Sequence, residues 1–584
     1  MAKLDGAMLV AKALKKEGVE KIFTLSGGHT YRIFQECAKL GMDIIDSRSE
    51  AECGFAANGY AVTSGKPAVI VATAGPGVTN LFSNVVDANM GDLPILYIGG
   101  AAAQMHDLYE VTQQYDQLGR MMEPNTRWAY RVEETSRIPE YIATAFRNML
   151  GCNPGPAYVE IPMDILEINL VEESEVIFPY RYRTDARILA DKEYVEKAAD
   201  LLISAEKPAM IVGNGAQFRC KNKGVFKELA QYLQMPAEAG NNNTGVFFTH
   251  EDPLFQIGGL ALMEADVILS FNHRPEHAAL DFMNRTAKMI SVHHNWHAVG
   301  LNGPVEIGMI GDSDAICEQI LECVKSKIEK RTVNPNVEKL LEKRAEIKKA
   351  LEDGPWSDSR EPMHPGAAAY QVNKWAMTEK GKKFDLVNEG GDTGCWGRQA
   401  QSFLVDVDRP HRYFSCNYGG ALGEGNGAIL GKYEADGMPI LHFVGDGSWA
   451  EDLSAMYTYA KFKIPYIGVI GNNANMGMIA AFSMEQVPDE DYNIGQLTGP
   501  ENDGRFHYEA IAATWGGYGK CVTKAEDLPA ALDEAYETAI QGIPAIINCE
   551  FAFNREVVSA GSIGLYKQLS IPGHVNFEKG HPEY

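Results

Sequence analysis

Short apolar runs alternate with longer amphipathic stretches along the whole chain, a pattern that predicts α/β layers with parallel sheets. Val69–Ala72, Ile95–Ile98, Ala157–Ile161, Met210–Gly213, Val267–Ser270, Ile440–Val444, Tyr466–Ile470 and Ala545–Cys549 read as buried strands. The opening MAKLDGAMLVAKALKKEGVEKIF reads as an amphipathic surface helix, with a strand over Ile22–Leu25.

Breaks in this pattern predict three blocks and a tail. The first runs over 1–182 and is followed by a polar, Arg-rich connector. The second, over 190–352, ends in the charged helix NVEKLLEKRAEIKKALEDG. A Pro-containing linker then leads to a third block over 366–556, and 557–584 form a Gly-, Pro- and His-containing tail. A length of 584 residues suits several domains of roughly 100–200 residues each.

The net charge of −25 argues against a nucleic-acid partner or an anionic membrane surface, since both require a basic footprint. Ten scattered cysteines without a C-x-x-C pair fit a reducing compartment and exclude a zinc ribbon, and the expected location is cytoplasmic. No apolar run approaches the ~18 residues of a membrane span.

The most informative segment is GDGSWAEDLSAMYTYAKFKIPYIGVIGNNANMG, Gly445 to Gly477. A strand delivers Gly-Asp-Gly-Ser at its carboxyl end, where ligands of parallel sheets sit, and a helix and second strand deliver Asn472 and Asn473. Asp446 and Asn473 are thus one β-α-β unit apart and arrive side by side. A carboxylate and an amide oxygen are hard ligands suited to Mg²⁺ that takes its other ligands from phosphate and water. The glycines let the backbone approach a diphosphate.

This segment resembles the thiamine-diphosphate (ThDP) motif of the family that includes acetolactate synthase, benzaldehyde lyase, oxalyl-CoA decarboxylase and 2-hydroxyacyl-CoA lyase. The resemblance implies ThDP and Mg²⁺ as cofactors. Asp446 and Asn473 would be metal ligands, with the carbonyl of Asn475 the third. Gly445, Gly447, Ser448, Met476 and Gly477 would hold the diphosphate, and EGGDTGCWGRQ would add a loop over it through Thr393 and Gly394. The implied architecture is three α/β domains with six-stranded parallel sheets: a pyrimidine-binding domain, a central nucleotide-binding-like domain and a diphosphate-binding domain. A homodimer or dimer of dimers with shared active sites follows, since in this family the pyrimidine domain of one chain faces the diphosphate domain of another.

In the first block, IIDSRSEAECGFAANGYAVTSGKPAVIVATAGPGVTN resembles the same family's pyrimidine-binding domain and makes Glu50 the activating carboxylate. ThDP must lose a ring proton, and a carboxylate bonded to the pyrimidine promotes the tautomer that removes it. Packing among Cys53, Phe55 and Ala56–Ala57 is expected to desolvate Glu50. Gly75-Pro76-Gly77 with Asn80 matches the family's G-P-G-x-x-N turn. His29, in FTLSGGHTYRIF, sits where related lyases use a His on the substrate hydroxyl. Gln113, in TQQYDQ, becomes a donor to substrate or pyrimidine, with Asp116 and Gln117 structural. Met476, Met478, Ile479 and Phe482 are expected to line an apolar acceptor pocket.

The chain departs from the family in places. Ser49 stands where a His is usual, and GGALGEGNG puts Gly425 at a wedge position, so that Leu422 or a neighbour would bend the cofactor. The middle block offers Arg274 and Asn295 without the usual acidic residue, so FAD or ADP is possible without being assigned, CoA remains open, and His293, His294 and His297 read as solvated strand-end residues. The tail is a possible lid. The expected function is a lyase or carboligase acting on 2-hydroxy carbonyl or 2-hydroxyacyl compounds, through a carbanion on the coenzyme and an enamine. The alternatives are an acetolactate-synthase-type decarboxylating carboligase, or a non-catalytic binder of a nucleotide or metabolite. The partner is a small molecule.

Overall fold

A computed structural model of the chain describes residues 3–109, 111–115, 118–240, 245–249, 251–274, 283–284, 286–301, 304–415, 418–486, 495–497 and 505–562. Asp116, Gln117 and the tail beyond residue 562 lie outside the described residues. Two compact units are present: 1–186 with 416–437 and 452–462, and 187–415 with 438–451 and 463–584.

The first unit is built on a six-stranded parallel sheet in the order Asp43–Asp46, Lys21–Thr24, Ala68–Ala72, Ile95–Ala101, Ala157–Pro162, Trp128–Arg131. Its central strands are buried along their whole length, as their apolar runs require. A two-stranded antiparallel pair joins Lys3–Leu4 to Val171–Glu172. The chain leaves Lys21–Thr24 toward one side and returns at Ala68–Ala72 on the other, so the loops after these neighbouring strands diverge and open a crevice at their carboxyl ends.

The helix Glu50–Ser64 begins here. Its N-cap is Ser49, whose Oγ accepts from the Glu52 N–H at 3.0 Å, and it ends at Gly65 in the left-handed region at φ 67°. The residue that departs from the family pattern therefore has a local task. The same helix packs against Glu424–Asp436 at backbone contact. A Cβ on Gly431 would stand 1.7 Å from Ala56 O, and one on Gly59 2.0 Å from Ala428 O. Glycine is the only residue that fits these crossings.

The second unit holds two parallel sheets. One has five strands among the described residues, where six are implied by the resemblance: Ala237–Ala239, Pro208–Val212, Val267–Phe271, Lys288–His293, Ile307–Ile310. The other has six, in the order Tyr413–Phe414, Asp385–Glu389, Ile440–Gly445, Tyr466–Asn472, Ala545–Glu550, Gly519–Val522. The strand order reverses between Asp385–Glu389 and Ile440–Gly445, which places a second crevice there. Every strand named from the sequence is present, with ends shifted by three residues at most.

The histidines of the middle block depart from expectation. His293 and His294 are buried, and only His297 is exposed, stacked on Trp296. His293 Nδ1 accepts from the Asn295 N–H at 2.9 Å, and Asn295 Oδ1 accepts from the His297 N–H at 3.1 Å. The turn after the strand folds back on the His293 ring, and the His294 ring lies against Gly215, 3.3 Å from where a Cβ there would stand.

No helix among the described residues is long and apolar enough to cross a membrane.

Candidate functional site

In the second unit, three turns meet at the carboxyl ends of adjacent strands: 390–394, 445–448 and 473–477. Asp446 is buried and joins two of them. Its Oδ1 accepts from the Gly447 N–H at 3.0 Å and its Oδ2 from the Ala474 N–H at 2.9 Å. Ala474 is a non-glycine residue held at φ 58°, a strained conformation that this bond helps to fix. Asn473 Oδ1 accepts from the Asn475 N–H at 2.9 Å, and Asn475 Nδ2 donates to Asn473 O at 2.7 Å. The adjacent Asn472 is spent on structure, donating to Asn548 Oδ1 at 3.0 Å and Phe506 O at 2.9 Å.

The glycines mark where the turns touch. A Cβ on Gly447 would stand 2.4 Å from Met476 Sδ, and one on Gly477 2.7 Å from Asn473 Nδ2. Gly445 ends its strand and caps the short helix that follows, while Thr393 is buried with Oγ1 against Gly471 and Gly445. Asp392 accepts from Ser559 N–H and Ser562 Oγ, both at 2.7 Å, which ties the end of the described chain to this turn. Ile479 is 44% exposed and Met478 and Phe482 are half-buried, in the helix Gly477–Gln486. Burial pushes the Asp446 carboxyl up to about 7, against the opposing pull of the Gly447 and Ala474 N–H groups and, more weakly, of Arg505. Arg505, which no motif singled out, donates to Phe551 O at 2.7 Å and Asn472 O at 3.3 Å and so ties two strand ends.

In the first unit, the crevice holds a second set. His29 Nδ1 lies 3.2 Å from Thr73 Oγ1, and its Cβ is 2.8 Å from where a Cβ on Gly100 would be. Burial holds the His29 imidazole below its ordinary value, which favours the neutral ring. Gln113, exposed and at φ 65°, lies with its carbonyl against Gly75, where a Cβ would come within 2.6 Å. Glu50 opens its helix half-buried, with Oε2 accepting from Asn80 Nδ2 at 3.1 Å. The fully buried carboxylate of this helix is Glu52, against the expectation that packing would desolvate Glu50. In a helix that starts at residue 50, the first side chain points past the end and the third points inward. Leu422 is 42% exposed and belongs to the first unit.

Three family models match the chain: the N-terminal TPP binding domain of thiamine pyrophosphate enzymes over 4–119, their central domain over 195–320, and their C-terminal TPP binding domain over 392–549. The chain belongs to the thiamine pyrophosphate enzymes. An acetolactate synthase large subunit of Haemophilus influenzae is 25% identical, covering 92% of this chain and 93% of its own length. The 2-hydroxyacyl-CoA lyase 2 of Mus musculus is 25% identical over 83% and 80%, and that of Homo sapiens 26% over 84% and 81%. The chain is thus a ThDP-dependent enzyme acting on carbon–carbon bonds.

The residues present fit this coenzyme with a divalent cation. Asp446 is a buried carboxylate with no basic side chain bonded to it among the described residues, beside an amide oxygen at Asn473, and a cation there would favour its ionised form. At Gly447 and Gly477 the Met476 and Asn473 side chains occupy the space a Cβ would take, so these close approaches require glycine.

Proposed function

We propose that the chain is a ThDP- and Mg²⁺-dependent lyase or carboligase acting on 2-hydroxy carbonyl or 2-hydroxyacyl compounds. The observation that carries this reading is His29: a neutral-favouring imidazole at the crevice of the first sheet, bonded to Thr73, two residues before the Gly75 against which Gln113 lies. A substrate hydroxyl that becomes a carbonyl must release its proton, and an imidazole held neutral accepts it.

Asp446, Asn473 and the Asn475 carbonyl would hold Mg²⁺. Gly445, Gly447, Ser448, Met476 and Gly477 would hold the diphosphate, with Thr393 behind them and Leu422 toward the ring. When bound, ThDP supplies a nucleophilic ring carbon that adds to a carbonyl carbon and stores the electron pair released as the adjacent bond breaks. Glu50 would bond the pyrimidine and move its proton, with Asn80 orienting the carboxylate. His29 and Gln113 would hold the substrate oxygen. Because Glu50 and Asp446 belong to separate segments, we propose a homodimer or dimer of dimers with the first segment of one chain serving the third segment of another. The acidic charge and the free described cysteines favour a cytoplasmic setting.

A second reading, a decarboxylating carboligase acting on 2-oxo acids, is favoured by the equal likeness to an acetolactate synthase subunit. Protein loaded with ThDP and Mg²⁺ distinguishes them. Aldehyde from benzoin or a 2-hydroxyacyl-CoA supports the first reading, and CO₂ from pyruvate without aldehyde from either overturns it in favour of the second.

A further inference from the structure

Beneath the turn 445–448 lies a buried polar chain made by residues far apart in sequence. Trp449 Nε1 donates to the Tyr466 hydroxyl at 3.3 Å, and that hydroxyl lies 3.0 Å from His442 Nδ1. Indole can only donate, so Tyr466 accepts from it, and the direction of the Tyr466–His442 contact follows the imidazole tautomer. The other ring nitrogen, His442 Nε2, faces Glu389 Oε2 at 3.2 Å. The other carboxylate oxygen, Glu389 Oε1, accepts from Ser448 Oγ at 2.9 Å. All five side chains are buried.

His442 Nε2 and Glu389 Oε2 are close enough for an ion pair, yet neither makes a hydrogen bond of good geometry. Leaving such atoms inside a protein is costly, and a retained pair of this kind calls for a task. Its position supplies one. Glu389 ends one strand and Ser448 follows the next, so their bond spans the point where the strand order reverses. Gly390 permits the approach: at φ 77° it lies so near that a Cβ would stand 2.6 Å from Ser448 Cβ. With its proton given to Glu389, the Ser448 hydroxyl has one fixed rotamer and none to lose when an anion arrives.

We propose that Glu389 and His442 are positioning residues that hold Ser448, and through it the Gly445–Ser448 turn, in the conformation that receives the cofactor's diphosphate. This rests on the reading of the three turns as the diphosphate cradle. His442 faces the carboxylate from below, Glu389 holds the hydroxyl, and both would act through Ser448 rather than on the cofactor.

Calorimetric titration of the full chain with ThDP and Mg²⁺, and separately with Mg²⁺-pyrophosphate, tests it. Glu389→Ala is expected to weaken both affinities about tenfold or more, with Glu389→Gln, which keeps an acceptor for Ser448, recovering part of the loss. In the Ser448→Ala background Glu389→Ala is expected to add nothing further, a non-additivity that general destabilisation would not produce. His442→Phe should weaken binding in the same direction. If Glu389→Ala does not fold, Glu389→Gln replaces it in the cycle with Ser448→Ala. Wild-type affinity within about twofold in Glu389→Ala and His442→Phe, or additive losses in the cycle, overturns the proposal. Wild-type protein that binds neither probe overturns the cradle reading instead.

Discussion

Asn80 Nδ2 donates to Glu50 Oε2 at 3.1 Å, so the turn that follows Gly75-Pro76-Gly77 orients the carboxylate at the start of its helix. One amide on the carboxylate leaves Glu50 further capacity to accept from a ligand. Replacing the carboxylate with an amide keeps its shape and removes its proton chemistry. Glu50→Gln is therefore expected to lower turnover by about 10²–10⁴-fold, with ThDP binding retained. Asn80→Ala should lower it less, by about tenfold. Steady-state rates with calorimetric cofactor affinities check both; an unchanged rate in Glu50→Gln would refute the assignment.

The Asp446 carboxylate bonds both the 445–448 and the 473–477 turn, so its removal is expected to affect the metal and the turn together. Asp446→Asn is expected to weaken Mg²⁺-supported ThDP binding by at least about tenfold, because an amide supplies a neutral ligand where a charged one is needed. Chelating the metal from wild-type protein should lower ThDP affinity likewise, and re-addition of Mg²⁺ should restore it in wild type far more than in the variant. Equal restoration in both would remove Asp446 from the ligand set.

The strands, their parallel order and the GDGS and NN turns were legible because each depends on residues close in sequence: an apolar run, or two turns one β-α-β unit apart. Ser49 read as a departure because only the motif was visible, while its task as N-cap depends on where the helix starts. Likewise the wedge segment GGALGEGNG looked like a flaw, yet Gly427 lies against Glu52 O and Gly431 against Ala56 O, contacts set by another helix. His293 and His294 read as solvated because nothing in a linear sequence marks a turn that folds back over a strand end. Glu389 opens the EGGDTGCWGRQ segment and Tyr466 the strand before the asparagines, yet nothing in the sequence joins them to His442, since strand order alone brings the three together.

The helix crossing gives a packing prediction. Gly431→Ala would press a methyl into Ala56 O at 1.7 Å, and since the obstruction is backbone, one of the helices must move. A loss of about 1–3 kcal/mol or more in unfolding free energy is expected. Gly437→Ala, in open space at the end of the same helix, measures the separate cost of its left-handed φ of 70°. Denaturant unfolding of the two variants separates crowding from strain. If Gly431→Ala costs no more than Gly437→Ala, the close crossing is not rigid.

Glu52 yields a prediction in which pH decides the outcome. The side chain is completely buried; Oε2 accepts from the Arg48 N–H at 2.9 Å, and Asp452 lies near enough to disfavour a second negative charge. Burial foremost, and then Asp452, pushes its carboxyl from 4.5 up to about 7. In the window between these values the folded chain keeps a proton that the unfolded chain has released. Stability therefore falls as pH rises through that window, and the penalty is complete above about 7 and absent below about 4.5. Glutamine keeps the acceptor for Arg48 and cannot ionise. Glu52→Gln should thus be close to wild type at pH 4.5 and more stable by about 1–3 kcal/mol at pH 8. Chemical denaturation across that range measures the difference directly. A constant difference between the two proteins at every pH would mean that Glu52 does not hold its proton in the folded chain.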